Sequence, residues 1–236
     1  MAVYGVNESQ RKAARVAGFA YLLTMATVVF ANLGIQDRLI VRGNAAETAR
    51  NIIAHERLFR VAIACELIYC AGLIVLTTAL YMILKTVDQS LALIGAFWRL
   101  VYALTWLLMT MHLFDAQRLA SGGDSLQVFE AERLRALAMS YLGARFWEYY
   151  AGLLFYGLAS AVCSYLWLMS NYIPRALAAF GAISSVWCAA CTFTFVILPN
   201  FDKVVNLWWF DSPMGIFEIA TGFLAFVQGI KDICDR

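Results

Sequence analysis

Charge is scarce in this chain: aspartate, glutamate, lysine and arginine make up 14% of its 236 residues, against about a quarter in an ordinary soluble domain. Histidine is scarcer, with two in all, His55 and His112. That number excludes a histidine-rich hydrolase centre and disfavours a metal site, which would need one histidine supplemented by carboxylates. Haem held between the pair is disfavoured further, because His55 stands on a polar segment beside Glu56 and Arg57; His112 reads as an interfacial histidine. There is no glycine-rich phosphate loop, no nucleophile elbow and no lysine inside an apolar run to carry a Schiff base. The net charge is +2 and the basic residues are scattered, so nothing resembles the basic, aromatic-interleaved patch of a nucleic-acid binder. No residue pattern identifies a cofactor. Low-complexity stretches and long linkers are missing too, which leaves one domain over residues 1–236.

What remains is apolar: 62% of the residues are hydrophobic and the mean hydropathy is +0.70, so the chain is an integral membrane protein of the all-α class. Six runs have the length of a spanning helix: Val16–Gly34, Leu58–Leu84, Leu91–Phe114, Phe146–Ser170, Ala176–Leu198 and Met214–Ile230. No small-x-small cleavage site follows the first, which is therefore read as a retained helix rather than a signal peptide. Six spans put both termini on one side, and Arg11, Lys12 and Arg15 ahead of the first assign that side to the cytoplasm. The longer linkers, external on this reading, also carry arginines, so the charge rule is obeyed only in part. Two of those linkers are patterned as amphipathic helices. One opens at Asn44-Ala-Ala-Glu47 and repeats Ala49, Ile52, Ile53 and Phe59 at helical spacing; the other opens at Asp124-Ser-Leu-Gln127 after Gly122-Gly123. Either could act as a lid, although sealing the bundle edge is the simpler role. Pro174 divides the fourth span from the fifth, and Trp208, Trp209 and Phe210 before Pro213 are placed at the headgroup level.

The informative residues are the charges inside these runs. Arg99 interrupts the third, and Glu66, Glu148 and Glu218 interrupt the second, fourth and sixth. Charges at membrane depth turn inward toward one another, so a charged interior is expected. At 1.5 Å per residue Glu66 lies about 12 Å below the outer boundary and Arg99 about 12 Å above the inner one, which leaves a gap their side chains can close. Glu66 is the expected partner of Arg99, with a glutamate of the fourth or sixth span as the substitute. Glu148 and Glu218 fall about one turn below the outer boundary on the same count, which makes Arg60 and Arg145 their counter-charges. Glu218 shares a face with Gly222, Ala225 and Gly229, a stripe suited to close helix contact. Arg99 shares its face with Tyr102, Trp106 and Thr110, whereas His112 points nearly the opposite way. Most of the six cysteines lie in apolar runs as small packing residues. Cys188-Ala-Ala-Cys191 also has the spacing of a dithiol pair, but near mid-bilayer and with no base beside it in sequence.

Several strings, in this order and spacing, resemble the bacterial membrane family DUF4386: Arg15–Leu23, Glu47-Thr-Ala-Arg50, Leu58-Phe-Arg60, Ala79-Leu-Tyr81, Trp98-Arg99, Tyr172-Ile-Pro-Arg175 through Gly181, and Phe217-Glu218 with Gly229. The similarity covers nearly the whole chain, the insert Ala116–Met139 matching poorly. It implies a six-helix protein of the bacterial cytoplasmic membrane, marks Arg99 and Glu218 as family positions and implies no activity. Three functions fit these residues. The first is a bundle that binds or moves a small lipophilic ligand through a charged interior, with the bilayer as its other partner. The second is a membrane enzyme, either a thiol oxidoreductase using Cys188 and Cys191 or a lipid-modifying enzyme with Glu148 or Glu218 as general base. The third is an assembly partner whose buried charges fix helix register.

Overall fold

The apolar runs fold as helices because a chain in lipid must satisfy its backbone hydrogen bonds within itself. A computed structural model describes residues 8–41, 43–121, 130–198, 201 and 208–227, and no strand occurs among them. Helix α1 (Glu8–Val29) continues without a break into a π-helix (Phe30–Gln36) and the short α2 (Asp37–Leu39). Then follow α3 (Ala45–Ala54), α4 (Glu56–Leu84), α5 (Gln89–Ser121), α6 (Ala131–Ser170), α7 (Arg175–Ile197) and α8 (Trp208–Val227). Six stretches are long and apolar enough to span a membrane: Glu8–Leu39, Glu56–Leu84, Gln89–Ser121, Glu132–Ser170, Arg175–Ile197 and Phe210–Val227. The protein is thus an integral membrane helical bundle, with one expected run on each span. Large apolar side chains such as Ile183, Val186 and Ile197 of α7 are more than 60% exposed, as side chains facing lipid tails would be.

Local chemistry sets the helix ends. Asn44 caps α3, its Oδ1 accepting from the Glu47 N–H at 3.0 Å while its amide donates to Glu47 Oε2 at 2.9 Å. The chain bends at His55, which leaves helical geometry (φ −121°, ψ 37°), so the first amphipathic segment turns into its span. The second differs from expectation. Its opening at Asp124–Gln127 lies outside the described residues, and from Ala131 the helix runs unbroken through Ser170, because no proline interrupts it and Gly143 is tolerated. Asn171, at φ 56°, closes α6 in the left-handed conformation, and Pro174 starts α7. Helix α8 begins ahead of Pro213 instead of behind it; one missing N–H does not stop a spanning helix. Phe210 is accordingly a core residue, 7% exposed and against Trp187, Phe195 and Phe201, and not a headgroup anchor.

The chain sorts into two compact units. One comprises Met1–Met25, Ala71–Ala103 and Tyr150–Arg236; the other comprises Ala26–Cys70 and Leu104–Tyr149. In the first, small residues let helices touch. A β-carbon on Gly222 would come within 2.8 Å of the Tyr21 Cβ, and one on Gly18 within 2.7 Å of the Gly222 carbonyl, so α1 and α8 meet at backbone distance. The second is held by an apolar cluster that includes Ala31, Ile35, Ile52, Phe59, Ile63, Leu113 and Leu142. Thr48 ties α3 into it, donating to the Val41 carbonyl at 3.1 Å and accepting from the Val41 N–H at 3.0 Å.

Candidate functional site

Each unit contains one buried charge cluster. In the first unit Arg99 of α5 is 1% exposed, and its Nη1 donates to Glu218 Oε1 of α8 at 3.1 Å. The rings of Tyr21 (α1) and Tyr156 (α6) stand 5.9 Å and 5.8 Å from its Cζ, close enough for cation–π attraction. Tyr156 is held in turn by Tyr102, with ring centroids 4.8 Å apart. Four helices therefore fix one guanidinium, and the single ion pair occupies one of its nitrogens. Nε and Nη2 have no hydrogen-bond partner among the described residues. The Tyr21 hydroxyl and Cys163 thiol stand beside the guanidinium. Four more buried donors of this unit, the hydroxyls of Ser160, Ser164 and Thr221 and the Trp167 indole N–H, likewise have no hydrogen-bond partner among the described residues. The contrast is with Thr77, Thr110 and Thr192, each of which bonds the carbonyl four residues back. A small cavity with room for about one water molecule, lined from α4, α5 and Cys163, borders Arg99.

The second unit is built on Glu66 of α4, which is 0% exposed. Its Oε1 accepts from Gln36 Nε2 at 2.6 Å and from Asn32 Nδ2 at 3.2 Å, and its Oε2 accepts from the Trp106 indole. Arg145 of α6 lies 3.7 Å away through Nη2 and donates from Nη1 to Gln36 Oε1 at 2.7 Å. Both amides come from the π-helix, whose wider turn still sets Asn32 and Gln36 on one face toward Glu66. π-Turns are rare and recur at functional sites. Glu66 is thus a carboxylate enclosed by donors, with little acceptor capacity left for a ligand. Nearby in sequence, His112 Nδ1 lies 3.0 Å from Glu148 Oε2, each side chain under a fifth exposed, and Tyr141 flanks the imidazole at 5.3 Å.

Several expected pairings are corrected. Arg99 is matched by Glu218 and not by Glu66; Glu66 takes Arg145; Glu148 takes His112. Arg60 bonds the exposed Glu56 one turn back, at 3.0 Å through Nε, and so serves neither Glu148 nor Glu218. α6 and α8 begin before Phe146 and Met214, so Glu148 and Glu218 stand further from the start of their helices than the apolar runs alone suggest. His112, read as interfacial, makes a half-buried contact with Glu148. Cys188 and Cys191 are both free thiols, 1% and 5% exposed, and present no surface to a partner disulfide. Reasoning on the sequence missed Tyr21, Tyr156, Asn32 and Gln36. Two amides four residues apart in an apolar run were the available signal for the last two.

A family model described as "Domain of unknown function (DUF4386)" matches residues 16–229. No curated protein matches the chain, and no solved structure does.

Proposed function

The chain belongs to the DUF4386 family, whose description assigns no activity, and from that premise we propose that it is a membrane bundle that binds a small lipophilic ligand at Arg99, or carries one across. One observation supports this above the others. A fully buried arginine has a single ion pair and two nitrogens, Nε and Nη2, without a hydrogen-bond partner among the described residues, and a small cavity borders it. A buried donor left unmade costs about 1–3 kcal/mol, more for a charged group, and Arg99 leaves two nitrogens so, against the one, Nε, that Arg145 leaves. Ligand oxygen atoms at Nε and Nη2 would supply what the protein does not. Native mass spectrometry of the purified protein tests it, paired with complementation of a deletion strain. The expected result is a copurifying lipid or small molecule that Arg99→Ala and Glu218→Ala diminish. Full complementation by both variants together with a protein free of any bound molecule would refute the proposal.

A structural role is favoured at the other cluster. Glu66 meets four donors from three elements, the arrangement of a charge that fixes helix register. We place the protein in the bacterial cytoplasmic membrane with both termini in the cytoplasm, a reading supported by Arg11, Lys12 and Arg15 before the first span. A reporter fused to the C-terminus and active only outside the cytoplasm should stay silent.

A further inference from the structure

We propose that the first unit has a second site, separate from Arg99, which binds the phosphate head group of an anionic phospholipid through Lys85 and Arg175. It lies at the end of the unit where α1 begins. Gln10, in the first turn of α1, is 2% exposed, and its Nε2 donates to the Ile83 carbonyl at 3.1 Å and to Thr86 Oγ1 at 2.8 Å. The Tyr172 hydroxyl stands 3.5 Å from both Gln10 Nε2 and Thr86 Oγ1. One buried amide therefore ties the start of α1 to the turn between α4 and α5 and to the turn between α6 and α7. That knot gathers cations from three stretches of chain. Arg11 follows Gln10, Lys85 precedes Thr86, and Arg175 comes three residues after Tyr172; consecutive Cα atoms are about 3.8 Å apart, so all three belong to one patch.

Charge selects an anion. Among the described residues this end carries five cations, Arg11, Lys12, Arg15, Lys85 and Arg175, against two acids, Glu8 and Asp88. Both acids are engaged: Glu8 pairs with Lys12 at 2.7 Å, and Asp88 Oδ1 accepts from the Leu91 N–H at 2.9 Å to start α5. Geometry selects two of the cations. Arg175 is exposed, and its Nε donates to Asn171 Oδ1, a bond to the left-handed residue that closes α6. That bond steadies the guanidinium and leaves its Nη1 and Nη2 edge for phosphate oxygens. Lys85, half-buried, holds its Nζ 5.8 Å from the Tyr81 ring as a point charge beside it. Position makes the anion a lipid. The cations stand at helix ends, and past them α1 turns out Val16 and Phe19 and α7 turns out Phe180 and Ile183, each more than a third exposed, as a surface for acyl chains.

The test is native mass spectrometry of the full-length protein from mixed micelles holding equal amounts of dioleoyl phosphatidylglycerol and dioleoyl phosphatidylcholine. Phosphatidylglycerol should be the lipid retained. Lys85→Gln and Arg175→Gln should each weaken its retention about fivefold, the scale of one basic residue at a membrane surface, and should leave phosphatidylcholine unchanged. Arg133→Gln is the control, since Arg133 belongs to the other unit and pairs with Glu130 at 3.4 Å; it should retain phosphatidylglycerol as the wild type does. Equal retention of the two lipids overturns the proposal. So does a loss in Arg133→Gln as large as in Lys85→Gln, which would mean that overall charge and not this patch attracts the lipid. Displacement of the lipid by an equal concentration of glycerol 3-phosphate would overturn the phospholipid as the occupant. The substituted side chains lie at helix ends outside the core, and circular dichroism of each variant verifies its fold before retention is compared.

Discussion

Removing one member of the Arg99–Glu218 pair should cost unequal amounts, and the inequality follows from what each member leaves behind. Arg99→Leu strands the Glu218 carboxylate, 7% exposed, by removing the cation that bonds it among the described residues. Breaking a buried pair on that side costs about 3–5 kcal/mol. Glu218→Gln strands the arginine, but the rings of Tyr21 and Tyr156 remain at 5.9 Å and 5.8 Å, each contributing about 0.5–1 kcal/mol toward holding a cation. The glutamine carbonyl also remains to accept from Nη1. The cost should therefore drop to about 2 kcal/mol. The double variant Arg99→Leu, Glu218→Gln buries no charge, and replacement of a buried pair by uncharged groups is often close to neutral. Its loss should be smaller than that of Arg99→Leu alone, a coupling of about 2–3 kcal/mol or more in the double-mutant cycle. The swap Arg99→Glu, Glu218→Arg should recover part of the loss. The measurement is helicity against the mole fraction of sodium dodecyl sulfate in mixed micelles, read as the shift in midpoint for the wild type and each variant. Both single variants within about 0.5 kcal/mol of the wild type, or a double variant whose loss equals the sum of the singles, would refute the idea that the charges neutralise one another in the bundle.

Gln36→Leu removes a side chain that bonds both Glu66 and Arg145, two charge-assisted hydrogen bonds, and should destabilise by about 3 kcal/mol or more in the same titration. Trp106→Phe removes a single donor to Glu66 and should cost about half that. Gly222→Leu forces a side chain against Tyr21 and should separate α1 from α8, seen as the loss of a disulfide cross-link engineered between exposed positions of those helices. Cys188 and Cys191 should resist a water-soluble maleimide until the protein is unfolded, since both are buried; rapid labelling of either in the folded state would contradict the structure.

The spans were legible because hydrophobic length is a one-dimensional property: each of the six runs lies on a spanning helix. Legible for the same reason were the capped start at Asn44, the punctuation at Pro174 and the inward face of Glu218, whose neighbour Gly222 touches Tyr21 of α1. Pairing was not legible, because it depends on which helices are neighbours, and nothing in a single sequence states that. The Tyr21 and Tyr156 rings illustrate the point. Each is an ordinary aromatic in an apolar run, and only packing brings both over one guanidinium. The π-helix was hidden differently. One residue of extra turn leaves the hydrophobic pattern nearly unchanged, while it brings Asn32 and Gln36 into the network around Glu66.

Depth explains why Glu66 looked like the partner of Arg99. Counting from Met214, Glu218 sits about 6 Å into the sixth span; from Phe210, where the spanning stretch begins, it sits about 12 Å in. That difference is one helical turn, enough to carry the carboxylate from the headgroup margin to the depth at which Glu66 was expected. Four residues, Phe210–Pro213, were therefore sufficient to misassign the pair. Once Glu218 reaches that depth, the choice between carboxylates is decided by supply of donors. Glu66 already accepts from Gln36, Asn32 and Trp106 and lies near Arg145, whereas the one ion pair of Glu218 is with Arg99. A carboxylate enclosed by neutral donors can remain ionised without an adjacent full charge; one without them needs the cation. The same reasoning separates the two clusters by use. The Glu66 carboxylate, enclosed by its donors, has no bond to offer a ligand, and the guanidinium of Arg99 leaves two nitrogens, Nε and Nη2, against the one, Nε, that Arg145 leaves.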